Sequence, residues 1–344
     1  MKNKNLKQFS HARNIKKSTL NGYESSLNKY VKFNEMTIEE LVEEAQNVEK
    51  RKIPLKNRTL KKRLIDFRNY LLNSDLSTKT AKTYFSKIKA YYRHYEIEIP
   101  ILPKVSYDKP YETNYLDLPK HSDIKKAIDV SSSLMKAIIL FMISSGTAKA
   151  ETLSLTIDNF IKATEEYHSG GAIENILNEL ENKNIVPKFY LKRIKTNKYY
   201  YTFCTGEATQ FIIKYLRTRN NLKVEDKLFD ITDSSLSLKF RQINDSIGWG
   251  FKGKYRFFRP HTLRKFNASN IGLSREYVDL IQGRGKDELY TAYIKTNPQK
   301  LKTIYKSAMH NVEIYKKDST IKKEEFTIVI NVFLSGKEYN IINW

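Results

Sequence analysis

Apolar residues recur every three or four positions through most of the chain, which is the period of a helix with one buried face. Leu20, Tyr23, Leu27 and Tyr30 form the first such stripe, behind Ser18 as a candidate N-cap. Thr37-Ile-Glu-Glu40 has the spacing of a capping box and starts a second helix through Leu41, Val42 and Ala45. Leu60, Leu64, Phe67 and Leu71 predict a third. Ala81, Tyr84, Ile88, Tyr91 and Tyr95, behind a capping Ser77, predict a fourth. The tyrosines of that stripe read as core rather than as a platform for stacking bases. Ile99 to Pro110 then holds three prolines, which predicts an extended linker.

From Tyr115 the helical period resumes. Helices are expected from about Ser122 and Ser132, the second closing at Gly146 as its C-cap. Leu134 to Ile143, broken only by Lys136, is the longest apolar run. It falls short of the roughly 18 residues that cross a bilayer and reads as a buried helix. Residues 164–185 are acidic and polar around His168-Ser-Gly-Gly171 and are expected to be an insertion. Phe189 to Phe203 alternates aromatic residues about a polar turn, the one clear hairpin. Further helices are predicted after Thr205, over Ser235–Ile247, from Pro260, and from Pro298 through Leu301, Ile304 and Ala308. Phe326 to Phe333 alternates like a strand, and residues 1–17, rich in Lys and Asn without a period, predict a mobile basic arm.

Composition narrows the function. A chain of 344 residues can build two or three domains with real cores. Its formal net charge of +23 calls for a polyanionic partner, nucleic acid before a membrane surface. Eight of the fourteen residues from Lys50 to Arg63 are Lys or Arg and read as a phosphate-contacting run. The basic N-terminus lacks the apolar region of a signal peptide. Cys204 is the only cysteine, so no disulfide framework is expected and a reducing cytoplasm is. One cysteine with six scattered histidines argues against a zinc site.

Candidate chemistry concentrates between Arg259 and Tyr293. Pro260 suits the first turn of a helix, which puts His261 and Arg264 on one face, near an N-terminus that favours negative charge. Arg284, Lys286, Tyr290 and Tyr293 follow after about one further helix and a glycine-containing turn. Cations around a phenol point to attack on a phosphodiester. Gly283-Arg-Gly-Lys286 lacks the spacing and the Ser or Thr of a P-loop, and no Ser-His-Asp order is present.

His261-Thr-Leu-Arg264, a glycine turn and then Tyr293 resemble the second half of the active site of tyrosine recombinases, the phage-integrase family. The spacing and the Tyr293-Ile-Lys-Thr-Asn-Pro sequence look most like integrases of archaeal viruses and related mobile elements. Ser144-Ser-Gly-Thr-Ala-Lys149-Ala-Glu151-Thr-Leu-Ser-Leu155 resembles the family's first catalytic box without its arginine. Ala148 stands there in the commonest register and Lys149 in a variant one residue later; lysine keeps the charge but not the planar fork. Glu151 reads as a buttress or as an ordinary surface acid. Lys195, with Lys198 as second choice, matches the hairpin lysine that protonates the leaving 5′ oxygen. Gln282-Gly-Arg284 replaces Leu-Gly-His, so Arg284 or Lys286 would be the late hydrogen-bond donor, and Tyr293 is preferred to Tyr290 as nucleophile.

The resemblance implies a mainly α fold with a small β hairpin or sheet. It implies a basic arm over 1–17, a SAM-like core-binding DNA domain over 18–98 and a linker over 99–114. An α-rich catalytic domain would follow over 115–320, then a tail over 321–344 packing on a neighbouring protomer. It further implies a site-specific recombinase that integrates DNA through a 3′-phosphotyrosine intermediate. Tyr293, Arg264, His261, Lys195, Arg284 and Lys149 would form the site. The partners would be double-stranded DNA and further copies of the chain, a tetramer in the synapse, with no metal, ATP or small-molecule cofactor and no membrane. Two other readings stay open: a DNA-binding protein of this fold with a weakened site, and a relaxing enzyme like type IB topoisomerases.

Overall fold

The computed structural model describes residues 4–106, 112, 114–284, 297–315, 332–334 and 337–339. They fall into two units, Met1–Glu112 and Thr113–Trp344. Most of the chain is helical, with small antiparallel two-stranded ladders, and among the described residues no helix is long and apolar enough to cross a membrane.

The first unit holds α1 (Lys4–Ala12), α2 (Lys17–Asn34), α3 (Ile38–Lys50), α4 (Thr59–Leu72) and α5 (Thr78–His94). The capping box is present: Glu40 N–H donates to Thr37 Oγ1 at 3.2 Å, and Thr37 N–H to Glu40 Oε2 at 2.7 Å. Leu60, Leu64, Phe67 and Leu71 are buried on α4, as are Ala81, Ile88 and Tyr91 on α5. Of the tyrosines in that stripe, Tyr91 is core, and Tyr84 and Tyr95 pack half-buried against it. Tyr30 and Tyr92, distant in sequence, meet there through their hydroxyls at 3.0 Å, so two buried polar groups satisfy each other.

Two expectations change in this unit. Residues 4–12, expected within a mobile arm, form α1, whose Leu6 and Phe9 enter the core. Phe9 stacks edge-on to Tyr23 at 4.9 Å, and a pair of apolar groups suffices to dock a short basic helix. The basic run is not wholly available to phosphates either. Arg58 bonds Glu49 at 2.6 Å and Arg63 pairs with Glu44, so these two cations stitch the unit to itself.

The second unit is built around α7 (Ser133–Ser145), preceded by α6 (His121–Asp129) and buried on nearly every side. Ser132 caps it, and Gly146 ends it at φ +63°. A Cβ at Gly146 would strike the side chains of Asn267 and Gln282, so glycine is required both by conformation and by space. Then come α8 (Lys149–Ser154), α9 (Ile157–Ala163) and α10 (Ile173–Leu180). The supposed insertion is thus partly core: Ile176, Leu177 and Leu180 are buried. Acidic neighbours dilute that apolar face in composition but not in spacing.

Strands β1 (Lys188–Lys192) and β2 (Tyr199–Phe203) form the expected hairpin, with Tyr190 opposite Tyr201 and Lys192 opposite Tyr199. Next come α11 (Gly206–Leu216), capped by Thr205, and α12 (Asp233–Ser246). A second hairpin, β3 (Phe251–Lys252) with β4 (Tyr255–Arg256), was not expected from the sequence. It leads into α13 (Pro260–Asn270), where Pro260 occupies the first turn, and α14 (Arg275–Ile281). Both α11 and α13 pack on α7.

Helix α15 (Pro298–Ala308) returns to the same core through Leu301 and Tyr305, whose hydroxyl donates to Ser144 O at 3.1 Å. Glu166 holds α15 from outside, bonding Lys302 at 2.6 Å, Gln299 at 3.1 Å and Lys188 at 3.1 Å. The Lys302 contact first of all draws the Glu166 carboxyl down to about 2. Of the strand expected over Phe326–Phe333, only Val332 and Phe333 are described; they belong to β5 (Val332–Leu334), paired with β6 (Lys337–Tyr339).

Candidate active site

Arg264 lies on α13 one turn after Pro260 and is 3% exposed. A guanidinium that deep is tolerable only if its donors are satisfied. Nη1 donates to the carbonyl of Gly146, at the end of α7, and Nη2 to that of Gln282 at 2.7 Å. The side chain of Gln282 ties the same pieces together, donating to Asn267 Oδ1 at 2.6 Å. Gly283 follows at φ +61°, where a Cβ would collide with the Tyr200 ring. These contacts orient the guanidinium.

Arg193 joins Arg264. It begins the turn after β1, and its Nη1 donates to the Gln282 carbonyl at 3.0 Å, so one oxygen accepts from two guanidiniums. Glu151 on α8 is 3% exposed, accepts from Ile194 N–H at 3.3 Å and lies 4.0 Å from Arg193 Nη1. It is buried rather than on the surface, and among the described residues its Oε2 has no hydrogen-bond partner. Burial, then Arg193 and Arg284, depress Arg264 to about 10, against the pull of Tyr200 and Glu151. Tyr200, buried beside Glu151, is pushed up, chiefly by desolvation.

His261 reaches solvent at the start of α13. Desolvation on its inner side, then Arg259, Lys265, Arg264 and Arg284, push its imidazolium down to about 4. It is therefore neutral at pH 7. Among the described residues the site holds more positive charge than its carboxylates balance, an electrostatic invitation to an anion.

His261, Arg264 and Lys149 border one cavity of about 590 Å³, with Arg241, Arg259 and the β3–β4 hairpin on its other sides. Lys149 opens α8 and already has a counter-ion: its Nζ is 2.6 Å from Asp233 Oδ1 and 3.2 Å from Ser237 Oγ, both on α12. Ala148, in the commonest arginine register, brings no charge. Arg284 is half-buried beyond Gly283 and lines a separate hollow with Asp279 and Arg275, though its charge is felt by both His261 and Arg264. Lys195 is exposed in the turn after β1, and neither it nor Lys198 lines the cavity. Tyr293, Tyr290 and Lys286 lie outside the described residues.

Sequence reasoning missed Arg193, hidden among Lys192, Lys195 and Lys198. The signal was the strand period: Phe189 and Leu191 are buried, and the next residue on their face is Arg193. It also missed Arg259, whose guanidinium lies 4.5 Å over the Tyr255 ring.

No family model matches the chain, and neither does any curated protein. Solved structures do resemble it. A lambda integrase dimer bound to a COC′ core site aligns with a TM-score of 0.52 at 13% identity, covering 85% of this chain and 97% of that one. A lambda integrase tetramer bound to a Holliday junction aligns at 0.51 and 14% identity, covering 85% and 78%. The Tn1549 transposon integrase in complex with transposon right end DNA aligns at 0.51 and 14%, covering 88% and 97%. At such identities the likeness is one of fold: the chain has the mainly helical fold, with a small antiparallel sheet, of tyrosine recombinases and integrases.

Proposed function

We propose that this protein is a site-specific DNA recombinase of the tyrosine type, an integrase of the sort carried by archaeal viruses and related mobile elements. It would act as a homo-oligomer on double-stranded DNA, a tetramer in the synapse. Residues 18–98 would grip the duplex as a SAM-like core-binding domain, 99–114 would link, 115–320 would carry the chemistry, and 321–344 would pack on a neighbouring protomer. One observation carries the reading. A carbonyl-clamped Arg264, with His261 and Lys149 on the same cavity and Arg193 and Arg284 adding charge, forms a site short of negative charge within an integrase-like fold.

In this reading the scissile phosphate occupies the deficit, its non-bridging oxygens facing Arg264 and its cationic neighbours. The Tyr293 oxygen attacks phosphorus while the bond to the 5′ oxygen breaks. Lys195 protonates that leaving oxygen, and His261, made more basic by the negative charge of the bound phosphate, accepts the phenolic proton. The products are a 3′-phosphotyrosine bond and a free 5′-hydroxyl. Reversal on another strand rejoins DNA with no metal, ATP or other cofactor.

A suicide substrate, nicked so that the cleaved end is lost, tests this. A covalent DNA adduct is expected, absent in Tyr293→Phe. A second reading, a DNA-binding protein with a weakened site, draws support from Ala148 and from the engagement of Lys149 by Asp233. Retention of duplex without an adduct on any substrate tried favours it. An adduct formed without regard to sequence points instead to a relaxing enzyme.

A further inference from the structure

The cavity beside His261 and Arg264 is larger and more aromatic than a phosphate requires. At about 590 Å³ it has the size of a small-molecule site. Its outer wall is the β3–β4 hairpin, which puts Phe251, 58% exposed, and Tyr255, 60% exposed, at its edge. Both rings stand more than half exposed on a hairpin whose strands are two residues long, so they are free to stack on a flat ligand. Each ring carries a guanidinium on one face: Arg256 lies 4.9 Å over Phe251, and Arg259 lies 4.5 Å over Tyr255. Among the described residues, the buried Nε of Arg259 has no acceptor. Arg241 and Lys254 add charge at the rim.

Rings alternating with cations suit a ligand that is flat and apolar on its faces, polar at its edges and flanked by negative charge. A nucleotide strand has all these properties, because each base stands between two phosphodiesters. A peptide lacks the regular charge, and a lipid headgroup lacks the flat ring.

We propose that this cavity receives one unstacked nucleobase of the bound DNA strand. The base lies against the faces of Tyr255 and Phe251 that Arg259 and Arg256 leave open, with its own phosphate directed toward Arg264. The inference rests on the recombinase reading and refines it, because it specifies that the duplex is opened by one base beside the reacting phosphate. Stacking on an aromatic side chain contributes a factor of roughly 5 to 150 per base. A base already unpaired avoids the cost of leaving the duplex, so the protein should prefer such DNA.

The test uses the full chain and two duplexes of one sequence, one fully paired and one with a single unpaired 2-aminopurine. The bulged duplex should bind about tenfold tighter or more, and its 2-aminopurine fluorescence should fall on binding as the base stacks. Tyr255→Leu and Phe251→Leu should each reduce the preference and the quenching. Equal affinity for the two duplexes, or fluorescence that does not fall, overturns the proposal. Should a variant fail to fold, the affinity ratio and the quenching of the unaltered protein decide alone. If both duplexes bind and the suicide substrate is trapped while the preference is absent, only this inference fails. If neither duplex binds, the recombinase reading fails with it.

Discussion

Replacing Arg193 by alanine is the sharpest probe of the site. The change removes a charge-assisted hydrogen bond to the Gln282 carbonyl at 3.0 Å, a type worth about 1.5–3 kcal/mol. It also removes the cation 4.0 Å from buried Glu151. Relief of repulsion on Arg264, whose pKa should climb back from about 10, offsets part of the loss. A net destabilisation of about 1–2 kcal/mol follows, which for a unit of this size lowers Tm by roughly 2–8 °C. If the chain is the proposed recombinase, its DNA cleavage should suffer more. A preorganised donor removed from a charge-stabilising site typically costs about 100- to 1,000-fold. The assay is single-turnover formation of the covalent adduct, run well below the Tm of the variant. Arg193→Lys, which keeps the charge but not the fork, should fall between the two. Lys192→Ala, on the opposite and exposed face of β1, should remain within about threefold of the parent. If Arg193→Ala cleaves within threefold of the parent, Arg193 supports the fold alone and the charge argument fails.

Lys149→Arg should raise the cleavage rate if residue 149 fills the arginine position of the first box; an unchanged rate refutes that alignment. His261 should titrate near pH 4 by NMR in the free protein, and a bound phosphodiester should move its midpoint upward. Because burial and cations depress this base, the unfolded chain takes its proton first. Stability is therefore intact above about pH 6.5 and is lost as pH falls toward 4, an acid sensitivity that His261→Gln should reduce in pH-dependent melting. In the first unit, Tyr92→Phe should cost about 1–3 kcal/mol by orphaning the Tyr30 hydroxyl, while the double change with Tyr30→Phe should recover much of it. A double-mutant cycle without coupling would show that the 3.0 Å contact contributes nothing.

The helices were legible wherever spacing and caps agreed. Thr37-Ile-Glu-Glu40, Ser132 with Gly146, and Pro260 each mark an end by local chemistry that needs no distant partner. The failures have equally local causes. Leu6 and Phe9 form too short a stripe to be seen amid lysines, and the acids around Ile176, Leu177 and Leu180 hide a core helix within a polar average. The second hairpin escaped because each of its strands is two residues long. The candidate site was legible in its residue types and in the pairing of His261 with Arg264. The involvement of Glu151 with Arg193 was not, because alternation along one strand had to be followed into the turn.

The sequence by itself determined the helical order, the chain positions of the candidate boxes, the excess of positive charge and the hairpin at Phe189–Phe203. Each follows from the period of side chains along a backbone or from charge, quantities counted over neighbouring residues. Only tertiary structure decided which cations meet. Residues 146, 193, 264 and 282 converge because the buried Arg264 and the half-buried Arg193 must both find carbonyls, and the carboxylate of Glu151 comes to them from another helix. It likewise decided that Lys149 faces Asp233 and that the aromatic pair on the β3–β4 hairpin borders the cavity. Burial energies depend on neighbours remote along the chain, and no local pattern encodes them.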